Sequence, residues 1–132
     1  MNDSFTRVLG ELSNERGRKN EEKVVQVFSV RTDDVPSWLL SVRGTEKHSK
    51  DDRRGKDIII NTADVGDIYL NVKSSQAKAD KFKEAQRHGR YRNIGVVVVE
   101  YEDDGASLRR KVIDIATRRR ESKFKKLKRN SA

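Results

Sequence analysis

Two apolar runs of strand length, Ile58-Ile59-Ile60 and Ile68-Tyr69-Leu70-Asn71-Val72, lie either side of the turn Thr62-Ala63-Asp64-Val65-Gly66. They constrain this chain more than any other feature. With a short polar segment between them they predict a β-hairpin, Asp57 to Asn61 paired with Asp67 to Lys73. The chain is 39% charged and only 33% hydrophobic, so its core has to be concentrated in a few segments. Val24 to Val30, the hairpin and Ile94 to Val99 hold most of the aliphatic side chains. Side chains alternate along a strand. Leu70 and Val72 therefore take one face of the second strand, and Asn71 and Lys73 the other. On the first strand Asp57 goes with Ile59, opposite Ile58 and Ile60. An aspartate and a lysine thus share one face of the hairpin.

Around this hairpin the pattern predicts a layered α/β domain. A helix starts near Glu15, with Val24, Val25 and Phe28 at core spacing. Asp33 to Pro36 breaks it, and Trp38, Leu39 and Val42 are expected in one short buried turn after the proline. Arg43 to Lys56 reads as an exposed loop or a frayed edge strand. Ala77 to His88 has Phe82 and Ala85 at helical spacing and stops at Gly89. The valine run Ile94 to Glu100 predicts a strand buried on both faces. Leu108, Val112, Ile115 and Ala116 outline a last helix. The expected organisation is a loose lead-in over 1–14, a domain over 15–117 and a basic tail over 118–132.

At 132 residues the chain has room for one domain with a modest core. A net charge of +9 points to a polyanionic partner, nucleic acid before membrane. No apolar run approaches the ~20 residues of a membrane span, and the mixed, polar start is unlike a secretory signal. A cytoplasmic location is the default. The absence of cysteine excludes zinc-thiolate sites and disulfides. Candidate phosphate contacts are Arg118, Arg119, Arg120 and Lys123 at the basic end, with Arg53 and Arg54 before the hairpin. Such contacts read charge and not sequence. Ser74 and Ser75 either bond phosphate or cap the helix near Ala77. His48 and His88 have no partner at metal-binding spacing.

An acid beside a lysine suits metal-assisted phosphodiester chemistry: the acid holds a cation, and the lysine offsets charge developing on phosphate. Taken singly, Glu21 is a surface helix residue, Asp57 ends a loop and Asn71-Val72-Lys73 is a strand end. Their order and spacing carry more. Gly17-Arg18-Lys19-Asn20-Glu21 opens the first helix, Asp57 closes Asp51-Asp52-Arg53-Arg54-Gly55-Lys56-Asp57, and Asn71-Val72-Lys73-Ser74-Ser75 ends the second strand. Together they resemble the PD-(D/E)XK nuclease superfamily, and by size and element order its small archaeal Holliday-junction-resolvase-type members.

The resemblance implies a restriction-endonuclease-like central mixed sheet flanked by helices. It implies an endonuclease dependent on Mg²⁺ or Mn²⁺ and acting on DNA ahead of RNA, with junctions or branched DNA, nicked duplex, flaps and specific sites all left open as substrates. Glu21 and Asp57 would be metal ligands, Asn71 would occupy the second acidic position, and Lys73 would be the catalytic lysine. Lys56 stands where the family has proline, and Asn71 where it has an acid. Asp51, Asp52 and Glu22 are the acids near enough in sequence to help. A domain this small grips little DNA, so a homodimer is expected. The asparagine also admits an alternative, a catalytically inactive nuclease-fold module that binds nucleic acid.

Overall fold

In a computed structural model of the chain the described residues are 17–46 and 49–130, apart from the side chains of residues 52 and 53. The expectations for residues 1–14, His48, Asp52 and the Arg53 side chain lie outside them. A helix over 17–26 (α1) comes first. Then follow β1 (Leu39–Gly44), α2 (Lys50–Arg53), β2 (Ile58–Thr62), β3 (Asp67–Lys73), α3 (Gln76–Arg87), β4 (Ile94–Val98) and α4 (Gly105–Asn130). The strands form one mixed sheet in the order β1-β2-β3-β4. The first two pairings are antiparallel, while β3 and β4 run parallel with α3 as the crossover. Among the described residues no helix is long and apolar enough to cross a membrane.

The hairpin forms as the alternation dictates. Ile58, Ile60, Ile68, Leu70 and Val72 join Val97 and Val99, and α4 closes over them with Leu108, Val112 and Ala116, one residue per turn. Val24 of α1, Leu39 of β1 and Val65 of the hairpin turn complete this cluster. Each fully buried leucine or isoleucine contributes about 1.5–3 kcal/mol. Ile59, on the other face of β2, is buried apart from that cluster, as are Ile94, Ala79 and Phe82.

At Gly95 α4 packs directly onto the sheet. A Cβ there would stand 2.5 Å from Ile115 Cγ2 and 2.8 Å from Leu70 Cδ2. Gly95→Ala is therefore expected to destabilise the fold by about 1–3 kcal/mol through overpacking. The check is a lower urea midpoint with an unchanged slope.

Besides the short helix α2, which forms inside the stretch expected as a loop or frayed edge strand, two segments differ from expectation. Leu39 to Gly44 is a strand and not a buried turn. Pro36 does make a turn, its carbonyl accepting from Leu39 N–H at 3.1 Å. Beyond it the backbone pairs with β2, from Leu39↔Thr62 to Gly44↔Ile58, with an irregularity between Leu39 and Ser41. That irregularity hides the alternation, and the pairing, invisible locally, decides the conformation. The second difference is the basic end. Residues 118–130 continue α4, which at ~1.5 Å per residue is about 39 Å long. No glycine or proline follows Gly105, and lysine, arginine and glutamate are good helix formers.

Three carboxylates fasten α4. Asp34 accepts from Arg109 Nε at 2.9 Å, Asp103 from Lys111 Nζ at 2.8 Å, and Asp64 from Arg120 Nε at 3.1 Å. The Thr32 and Arg109 hydrogen bonds hold Asp34 below the ordinary carboxylate value, and the Arg120 bond does the same for Asp64. Burial raises Asp103, but bonds from Lys111, the Glu100 N–H and Ser107 outweigh it and keep it low. A carboxyl lower in the folded chain than in the unfolded one stabilises fully above the unfolded value, about 4. That contribution is lost as pH falls through the folded value. The melting temperature should thus hold from pH 8 to about 5 and drop below about 4. Asp103→Asn should lower it at pH 7 and soften the acid drop. An acid limb as steep as wild type in a thermal melt followed by circular dichroism would contradict the Asp103 part.

Candidate active site

The hairpin ends in a cleft of about 320 Å³ lined by Glu21, Gly55, Asp57, Asn71, Val72, Lys73, Phe82 and Tyr91. All four residues singled out by the sequence pattern lie in it. They arrive from α1, from the residue before β2, and from β3.

Asp57 is buried. Its backbone N–H donates to Leu70 O at 2.9 Å, and its Oδ2 accepts Val72 N–H at 2.8 Å. The carboxylate thus takes the place of a strand partner, which fixes its orientation. Asn71 is 4% exposed. Its Nδ2 donates to Gly55 O at 2.8 Å, while its Oδ1 has no hydrogen-bond partner among the described residues. A buried acceptor left unpaired costs about 1–3 kcal/mol unless something donates to it or it binds a cation. Gly55 makes the approach possible. Its φ is +81°, and a Cβ would meet Tyr91 at 3.1 Å and Phe82 at 3.2 Å.

Lys73, half-buried, directs its ammonium over the Phe82 ring, 5.3 Å from the centroid. Phe82 itself stacks on Tyr91 at 4.6 Å and 16°. The cation therefore rests on an aromatic floor at the side of the cleft. Tyr91 is held by its backbone: Gln86 Nε2 donates to Tyr91 O at 2.9 Å and to Ile94 O at 2.8 Å. Gln86 acts as a brace for this loop.

The other candidates are distributed differently. Ser75 caps α3, accepting Lys78 N–H at 3.3 Å, and Ser74 Oγ accepts from Lys78 Nζ at 3.2 Å. Arg120 clasps Asp64 and lies between the Trp38 and Phe124 rings, 4.8 Å from each. Lys123 donates to the carbonyls of Val65 and Asp67, and burial pushes its ammonium down. Both cations are engaged within the fold. Arg118 Nε reaches Asp114 O, and Arg119 reaches Asn93 Oδ1 at 3.3 Å. Arg54 lines a second, basic cleft. Asp51 lies 3.9 Å from Lys56, and Glu22 lines a neighbouring groove with Glu21.

Two carboxylates and an amide oxygen form an oxygen-only set, the kind preferred by a hard divalent cation. Magnesium is commonly held through one or two carboxylates, with phosphate and water completing its shell. The orphaned Asn71 Oδ1 beside Asp57 fits such an ion in company with a phosphate. A self-sufficient protein cage is not present: among the described residues no three of Asp, Glu, His and Cys are gathered as ligands.

What the sequence did not reveal is the aromatic pair under Lys73 and the cations beside Tyr91. The run Arg90-Tyr91-Arg92 was the available signal, a basic stretch with an aromatic inside it. Compared with protein-family models, with curated proteins and with solved structures, the chain matches none.

Proposed function

We propose that the chain is a metal-dependent DNA endonuclease of the PD-(D/E)XK kind, with the sheet and helices of a restriction-endonuclease-like fold, hydrolysing phosphodiester bonds in junction or branched DNA. The observation that supports this best is the meeting of Glu21, Asp57, Asn71 and Lys73 in one cleft, with the partnerless Asn71 Oδ1 among them. Asp57, Glu21 and Asn71 are the residues that would hold Mg²⁺ or Mn²⁺. Such an ion, when bound, polarises the phosphate and acidifies a water molecule.

The chain's own groups do the rest. The Val72 N–H keeps the Asp57 carboxylate turned to the cleft. Lys73 sets positive charge beside the phosphate and orients the attacking water, while the Phe82 ring limits where its ammonium can go. A net charge of +9 draws the polyanion in. One domain of this size covers little DNA, so the active unit is a homodimer with one cleft for each cut.

The second reading, an inactive nuclease-fold module that binds nucleic acid, is favoured by Asn71 itself, since an amide brings no charge to the ion. Labelled duplex, single-stranded, flap and four-way-junction DNA, incubated with Mg²⁺, Mn²⁺ or EDTA, separate the two. Cutting that EDTA stops is the expected result, and the preferred shape identifies the substrate. Salt-sensitive binding without cutting in either metal would establish the second reading.

A further inference from the structure

Beside the catalytic cleft lies another, of about 430 Å³, lined by Arg54, Lys56, Arg90, Tyr91, Arg92 and Ile94. We propose that it is a phosphate-binding site that grips the DNA strand next to the cleaved phosphate. Its position relative to cleavage rests on the nuclease reading, whereas the binding itself does not.

Four cations converge here with little to neutralise them. Among the described residues no carboxylate pairs with Arg54, Arg90 or Arg92, and Lys56 has only Asp51 at 3.9 Å. By contrast Arg109, Lys111 and Arg120 each have an acid within 3 Å. Cations crowded without acids repel one another, and a polyanion relieves that repulsion. Guanidinium groups match phosphate oxygens in a two-pronged geometry that a bare surface charge lacks.

The site is also built to hold its shape. Tyr91 and Asn93 have φ of 51° and 64°, in the left-handed region, and Gly89 between them and α3 has 86°. Such conformations persist where the surroundings over-determine them. Gln86 braces the loop from α3, and Arg119 and Lys126 of α4 both donate to Asn93 Oδ1, Lys126 at 2.8 Å. Those two cations extend the positive surface onto α4.

Tyr91 connects the two clefts, because it lines both. A backbone leaving the catalytic cleft past Tyr91 enters the basic one directly. Arg90 lies over the same ring at 5.3 Å and Lys56 over Tyr69 at 4.0 Å, so the cations are spread along the path. Phosphate contacts of this kind position a strand and carry no sequence preference.

The test is anisotropy of a labelled DNA duplex in EDTA, where cleavage plays no part. Arg90→Gln/Arg92→Gln is compared with Arg110→Gln/Lys125→Gln, which removes the same charge from exposed positions on α4. Affinity of the first should fall tenfold or more at ~0.1 M salt. Its slope of log K against log salt should drop by about two, near 0.9 for each phosphate released. The control should stay within about twofold of wild type and keep its slope. Equal losses in both variants, or none in the first, would overturn the proposal, provided urea midpoints show both folded like wild type. Selective loss of binding in the first variant, together with a wild type that cuts nothing, would uphold this site and remove the nuclease reading.

Discussion

Lys73→Ala is expected to lower metal-dependent DNA cleavage by about two to three orders of magnitude, the usual effect of deleting one positioned charge or donor at a developing anion. Binding of the same duplex should change less than about threefold, since one cation among many meets the backbone. The fold should survive, because Lys73 is half-buried and ends β3 with its ammonium over a ring and not within the core. The loss should therefore appear in single-turnover rate at saturating protein, with the unfolding midpoint unchanged. Lys73→Arg is the informative companion. It keeps the charge but spreads it over a planar fork that the Phe82 floor does not match, so a large rate loss there too would mean that position matters as much as charge. Cleavage by Lys73→Ala at the wild-type rate would remove this residue from the chemistry.

The candidate site was legible because strand alternation is a strong rule. Once Ile58-Ile59-Ile60 and Ile68 to Val72 pair as a hairpin, Leu70 must face the core and Asn71 and Lys73 the cleft, with Asp57 on that same side. Glu21 needed α1 to be placed, which no local rule supplies. The edge strand β1 escaped for a related reason: its backbone partners lie in β2, some twenty residues away. At the basic end, apolar residues thin out after Ala116, leaving Phe124 and Leu127, so the helical period fades although the propensity does not. Arg120 and Lys123 then looked like solvated phosphate contacts. Their ties to Asp64 and to the Val65 carbonyl come from residues 56 and 58 positions earlier. The cations at Arg90 and Arg92 differ in having no acid beside them, and only three dimensions reveal which charges are already satisfied.

Asn71→Asp should turn the neutral position into a metal-dependent one, and stability reads the change independently of cleavage. In the wild type Nδ2 donates to Gly55 O at 2.8 Å from a side chain 4% exposed. An aspartate of the same shape loses that bond, turns an oxygen toward the carbonyl, and adds a charge beside Asp57. Without metal this should cost about 1–3 kcal/mol, or roughly 4–12 °C in melting temperature for a domain of this size. Part of the added charge will be shed, because a second carboxyl next to Asp57 titrates higher. A divalent ion reverses the situation, since it binds only the folded chain and stabilises by about 2.7 kcal/mol at a hundred times its dissociation constant. Millimolar Mg²⁺ should therefore raise the variant's melting temperature more than the wild type's and close most of the gap. An equal, small response in both proteins would mean that no ion is held at position 71. If the variant gains both metal response and cleavage rate, the amide had been limiting an existing nuclease. If it gains metal response while cutting nothing, the cleft holds ions without the geometry to use them, and binding is what the chain retains.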